Sequence, residues 1–222
     1  IAASLHEVGG NANEDRARLQ DMASDLREAF FLVAIIGEFN AGKSTFINAL
    51  LGEPLLPMGV TPTTEAIELV RYGAQAIRVP TLRGDSSTRE WVHPNTGAPG
   101  VALVDTPGTG SVFQRHETTA KGFLHRSDLV IFVVNAKRAL AEAERIYLDL
   151  AKQYGKKIIL VVNQIDLLEP TERVTVRRFV EQQVKQTLDL SPLIFLVSAK
   201  EALNGGDGGI GAVKAHLRGV FA

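Results

Sequence analysis

The sequence predicts an α/β fold of three layers, a mostly parallel sheet covered on both faces by helices, preceded by an N-terminal amphipathic helix. Three observations predict it. Short runs that are apolar throughout alternate with longer segments of helical period. Strands apolar on both faces belong to sheets that are covered on both sides. The first apolar run is followed at once by a glycine-bounded loop and a helix, and in such sheets ligands bind at the carboxyl ends of strands.

Taken in order, Leu19, Met22, Ala23, Leu26, Ala29 and Phe30 recur at three- and four-residue spacing between Asn13 and Phe30, with Glu14 and Arg18 on the other face. Residues 1–30 are therefore assigned to an amphipathic helix, either lying on the domain's own surface or forming part of a helical bundle completed by other sequence. Residues 31–222 form the α/β domain. Within it the pattern predicts strand Phe31 to Gly37, helix Lys43 to Leu51, strand Ala66 to Tyr72 and strand Val101 to Asp105. Strand Leu129 to Asn135, helix Leu140 to Tyr154, strand Lys157 to Asn163, helix Thr171 to Leu188, strand Leu193 to Ser198 and a last helix from about Ile210 follow. Gly84 to Gly100 reads as a surface excursion that holds Trp91 and His93, the latter, beside a Pro, as turn decoration, and Gly205 to Gly211 as a flexible turn.

Composition narrows the function. Lys and Arg number 24 against 25 Asp and Glu, so no global basic field points to nucleic acid or an anionic membrane, and no nucleic-acid partner is expected. With no Cys there is neither a disulfide framework nor a thiolate metal site. The apolar runs Phe30 to Gly37 and Leu129 to Val134 are too short to span a bilayer. The chain opens at Ile1 without a charged n-region or signal-type apolar core. We expect flanking sequence.

The loops carry the chemistry. Gly37-Glu38-Phe39-Asn40-Ala41-Gly42-Lys43-Ser44 satisfies GxxxxGK[ST] between a strand and a helix, so Glu38 through Thr45 are expected to bind nucleotide phosphates. Backbone N–H groups and the helix N-terminus would face phosphate oxygens, Lys43 would reach the outer phosphates, and the Ser44 hydroxyl would ligate Mg²⁺. Asp105-Thr106-Pro107-Gly108 puts a carboxylate at the sheet's carboxyl edge: Asp105 for Mg²⁺ through water, the Gly108 N–H for the γ-phosphate. Asn163-Gln164-Ile165-Asp166 is close to the NKxD base-reading loop, and Ser198-Ala199-Lys200 ends the final strand. The Asp166 carboxylate would accept from guanine N1–H and the exocyclic amine, and the Ala199 N–H would meet O6, which selects GTP and GDP over ATP. Gln164 stands where a Lys usually packs on the base. Gly59 to Glu65 supplies the switch that closes over Mg²⁺, with Thr64 the first choice of ligand, Thr63 the second, and Thr61 a backbone cap.

GEFNAGKSTFINALLG, PTTEA, DTPGTGS, the strand ending VVNA and VVNQIDLL together resemble the dynamin superfamily of GTPases, in its bacterial dynamin-like and chloroplast FZL-type branch. The resemblance runs from about Leu32 to Lys200. It implies a P-loop GTPase fold, GTP hydrolysis, self-association through the G domain, membrane remodelling or fusion, lipid contact through regions outside this chain, and a cytoplasmic or stromal location peripheral to a membrane. Era-type and tRNA-modification GTPases share the phosphate-loop Asn and DTPG but lack PTTEA; a GTP-dependent clasp without turnover is a third class. Thr109 occupies the place of the hydrolytic Gln of Ras-like proteins, so backbone or Thr64 must orient water. By likeness to potassium-activated GTPases, Asn40 is a candidate K⁺ ligand; the alternative is a turn former with a left-handed backbone. Phe39 packs on the switch or shields phosphates. Arg115 and His116 sit in an exposed loop, and Lys137 and Arg138 at a solvated helix entry or a dimer rim.

Overall fold

The computed structural model describes residues 30–58, 67–83, 88–106, 124–138, 140 and 142–221. The expected N-terminal helix, Thr61, Thr63, Thr64, Gly108, Thr109, Arg115 and His116 lie outside the described residues. The chain forms β1 (Phe31–Ile36), α1 (Lys43–Leu51), β2 (Ile67–Tyr72), β3 (Ile77–Arg83), β4 (Thr88–His93), β5 (Val101–Asp105) and β6 (Leu129–Asn135). It continues with α2 (Glu142–Gln153), β7 (Lys157–Asn163), a 3₁₀ turn (Ile165–Leu167), α3 (Pro170–Leu188), β8 (Leu193–Leu196), α4 (Ala199–Leu203) and α5 (Ile210–Phe221).

The strands form one sheet in the order β3-β4-β2-β5-β1-β6-β7-β8. β5, β1, β6, β7 and β8 run parallel, β2 is antiparallel to β5, β4 is parallel to β2, and β3 is antiparallel to β4. The α/β class with a mostly parallel sheet is as expected. Alternate residues of the central strands explain why they read as continuous apolar runs. Val33, Ile35, Ile131, Val133 and Val161 pack with Phe46, Ile47 and Leu50 of α1 and Val213 and Leu217 of α5. Ala34, Ile36, Val130, Phe132 and Val162 face the other way, with Leu148 of α2 and Val180 and Val184 of α3. Each such side chain removed from water contributes about 1.5–3 kcal/mol. α3 begins where local chemistry tells it to: Glu169 and Glu172 form a capping box around Pro170 at the first turn.

The sequence reading is corrected between residues 77 and 93. Gly84 to Gly100 is not a plain excursion: it contains β4, and β3 precedes it, so the sheet has eight strands rather than six. β3 was hidden because it is an outer strand with Pro80 in its interior and Val79 74% exposed, so neither of its faces repeats the apolar period. Nor does His93 decorate a turn, or Trp91 lie in a surface excursion. Both are buried. The Trp91 Nε1–H donates to Glu68 Oε2 at 2.6 Å. His93 accepts from the Asn95 N–H at Nδ1 (3.1 Å), so its Nε2–H donates to Glu53 Oε1 at 2.8 Å. Glu53 also takes a forked contact from Arg78, and these two partners hold its carboxyl below the usual range.

Candidate functional site

Every loop singled out in the described part of the sequence leaves the carboxyl edge of the parallel strands, β1, β5, β7 and β8, as a ligand site in this architecture requires. The phosphate loop leaves β1 through Gly37, which passes so close to β6 that an added Cβ would lie 2.1 Å from the Val133 carbonyl oxygen. Asn40 and Gly42 take left-handed backbones, φ 63° and 85°, and turn the chain into α1. The turn-forming role of Asn40 is thus observed. Among the described residues no side chain caps α1, so the N–H groups of its first turn are left for an anion to satisfy.

Lys43 is buried and folds back over its own loop, donating to the carbonyls of Gly37 and Glu38, each at 3.1 Å. Burial lowers its pKa, against the opposing pull of Asp105, Glu144 and Glu38. Across from it the Ser44 hydroxyl donates to Asp105 Oδ2. Asp105 Oδ1 is buried without a hydrogen-bond partner among the described residues, and burial pushes the carboxyl up to about 6, against Lys43 and Ser44. A hydroxyl and a buried carboxylate with an unsatisfied oxygen are the hard-oxygen donor set that suits Mg²⁺, so these residues fit that ion. Thr106 fastens the chain after Asp105, donating through Oγ1 to the Ile35 carbonyl at 2.9 Å.

Beyond the phosphate loop lies a cavity of about 400 Å³ lined by Gly42, Thr45, Met58, Asn163, Gln164, Asp166, Leu167 and Lys200. Asn163 works as a tie between loops. Its Nδ2 donates to the Ala41 carbonyl at 3.0 Å, and its Oδ1 accepts the Ala199 N–H at 3.1 Å, so that N–H is spent on protein in this conformation. Asp166 Oδ1 accepts from the Ser198 hydroxyl at 2.7 Å, and Ser198 in turn caps α4. Within Gly205 to Gly211, read as a flexible turn, Gly208 and Gly209 pack against this loop and Ile210 is buried, whereas Gly205 is exposed. At Gly208 and Gly209, with φ 52° and 75°, a Cβ would meet the Ser198 and Leu196 carbonyls at 2.2 and 2.4 Å.

Phe39 is half-buried and Asn40 exposed. Arg138 reaches Glu38 at 3.7 Å while remaining largely exposed. Two residues went unnoticed in the sequence. Asn135, at the end of β6, donates to Gln164 Oε1 at 2.6 Å. Its place as the last polar residue of a buried strand was a usable signal. Met58 had none: its position depends on buried Asn48, whose side chain holds the chain at Leu55 and Leu56 through three hydrogen bonds.

Comparisons with known proteins agree with this geometry. The family described as 50S ribosome-binding GTPase matches residues 32–164. A probable transmembrane GTPase, FZO-like and chloroplastic, of Arabidopsis thaliana is 35% identical over 201 residues, 86% of this chain and 21% of that protein. GTPase Der of Halalkalibacterium halodurans is 30% identical over 191 residues, 82% of this chain and 38% of that protein. The solved structure of an oligomerised bacterial dynamin pair, described as a mechanism for the long range sensing and tethering of membranes, covers 97% of this chain and 41% of its own, with a TM-score of 0.69 and 21% identity. That likeness speaks for the fold. The chain spans about a fifth of the FZO-like relative.

Proposed function

Because this chain belongs to the family of 50S ribosome-binding GTPases, we propose that it binds GTP and hydrolyses it to GDP and phosphate as the G domain of a dynamin-like protein. The observation that carries the reading is a single continuous edge. The uncapped start of α1 and the Ser44–Asp105 pair stand at one end of it, and the Asp166 carboxylate, braced by Ser198, stands at the other. Polyphosphate and guanine fit the two ends respectively.

In this reading the loop N–H groups and Lys43 bind the β- and γ-phosphates; to do so the Lys43 ammonium exchanges its two carbonyl partners for phosphate oxygens. Ser44 and Asp105, with Thr64 from the switch, hold Mg²⁺, which when bound neutralises charge on the β- and γ-oxygens. Asp166 uses its second oxygen on guanine N1–H and the amine, a pairing adenine cannot make. Thr64 or backbone orients the attacking water, the Gly108 N–H meets the γ-phosphate, and Asn40 offers its side chain to a K⁺ that supplies the charge of an absent arginine finger. The exposed Asn40 side chain makes no hydrogen bond among the described residues, which suits that duty. Dimerisation through the G domain, membrane remodelling or fusion, and lipid contact by regions outside this chain complete the proposal; the FZO-like relative, a probable transmembrane GTPase, fits the membrane part of it.

A second reading, an Era- or Der-type GTPase, is favoured by the identity to GTPase Der; a nucleotide-dependent clasp is the third. The test is GTP hydrolysis against protein concentration in K⁺ and in Na⁺, with ATP as the control. A GTP-specific rate that climbs with concentration supports a self-stimulating dynamin-like domain, and dependence on K⁺ supports Asn40 as its ligand. A flat GTP rate favours the Der-type reading. No turnover with tight binding favours the clasp.

A further inference from the structure

We infer that Gln164 is the middle link of a one-way amide relay that sets the phosphate loop, with Asn135 as its anchor, and that neither residue acts by packing on the base. The inference rests on the nucleotide-binding reading above and deepens it. Three hydrogen bonds run in one direction across two strand ends and the phosphate loop. The Lys137 N–H donates to Asn135 Oδ1 at 2.8 Å, Asn135 Nδ2 donates to Gln164 Oε1 at 2.6 Å, and Gln164 Nε2 donates to the Asn40 carbonyl at 2.9 Å.

The relay joins two bends directly, beside the tie that Asn163 makes to the Ala41 carbonyl. Gln164 and Asn40 are both non-glycine residues with left-handed backbones, φ 67° and 63°, a conformation that needs support from its surroundings. Each bend is held by the other through the Gln164 amide. The side chain runs along the loop itself: a Cβ added at Gly42 would lie 3.6 Å from Gln164 Nε2. The phosphate loop and the base loop are therefore set as one unit.

Polarity explains the residue type. Asn135 already spends its acceptor on the Lys137 N–H and offers a donor to residue 164. Glutamine accepts that donor and still donates to Asn40. Lysine has donors only; it would satisfy Asn40 but face the Asn135 amide donor head-on, and Asn135 would have to turn over and release Lys137.

The experiment compares release of a fluorescent GDP analogue with guanosine affinity read by ligand-observed NMR. Gln164→Met keeps an apolar body able to pack on a base but loses both bonds. It and Asn135→Ala should each speed GDP release by up to about tenfold, the upper range of what one lost hydrogen bond costs. The double variant should be no faster than the worse single, since the residues act as one unit. Guanosine affinity should hold, because it has no phosphates for the loop to grip. Gln164→Lys should also speed release, and Gln164→Lys with Asn135→Asp should restore it, since the aspartate accepts from both Lys137 and the new ammonium. Unchanged release in Gln164→Met, additive singles, no rescue by the reversed pair, or parallel loss of guanosine affinity would each overturn the relay. If the parent chain retains no GDP, the nucleotide-binding reading falls and the relay with it; tight retention with unaffected variants removes the relay alone.

Discussion

The two wings of the sheet are stabilised by different physics. On one side, β1, β6 and β7 are sandwiched between helices, and their side chains go alternately to the α1/α5 cover and the α2/α3 cover. On the other, β2, β3 and β4 are pinned by polar clasps. Glu68 is buried and held by Trp91 and Arg89, Glu90 pairs with Arg71 at 2.7 Å, and Glu53 gathers Arg78 and His93. Ile77, Val79 and Leu82 of β3 stay exposed. The doubly covered wing supplies most of the nucleotide edge. The clasped wing abuts that edge through the β2–β5 pairing, where Glu68 sits opposite Asp105.

Five substitutions test that division. The largest effect is expected in the covered wing: Phe132→Ala, at a fully buried position on β6, should cost about 4 kcal/mol of unfolding free energy in urea titrations. Lys43→Ala should lower GTP and GDP affinity about a hundredfold, as a charged phosphate contact is lost. Unchanged binding by calorimetry would sink the phosphate-loop assignment. Asp166→Asn should reduce guanine affinity on the order of tenfold and improve that for xanthine, which competition between GDP and XDP would reveal. In the clasped wing, Trp91→Phe should cost about 1–2 kcal/mol of stability, since Glu68 Oε2 loses its donor while buried, and leave GDP affinity unaltered. A change in affinity there would mean that the wings communicate through Glu68 and Asp105. Smallest is Val79→Ser on the exposed edge, within about 0.5 kcal/mol by the same urea titration.

The same contrast accounts for what was legible beforehand. β1, β5, β6 and β7 were readable to within a residue because burial on both faces demands apolar side chains at every position, and a chemical demand at every position leaves a pattern. β4 reads Thr-Arg-Glu-Trp-Val-His, and its burial is arranged by Glu68 and Glu53, which are 20 or more residues away in sequence. No local period encodes such a partner. In the site, Gly37 to Ser44 and Asp105 stood out because phosphate and metal binding constrain residue type at fixed spacing. The joint action of Asn135, Gln164 and Asn40 did not, since three amides meet only after three strands have been aligned in register.

By itself, then, the sequence determined the α/β class, the order of the central strands' elements along the chain and the placement of the glycine- and carboxylate-bearing loops proposed to bind nucleotide, because each follows from local period or from a short motif. The tertiary structure decided the eight-stranded sheet with its clasped edge, the burial that leaves one Asp105 oxygen unsatisfied and the direction of the amide relay. These depend on which distant donor meets which acceptor, and only long-range packing settles that pairing.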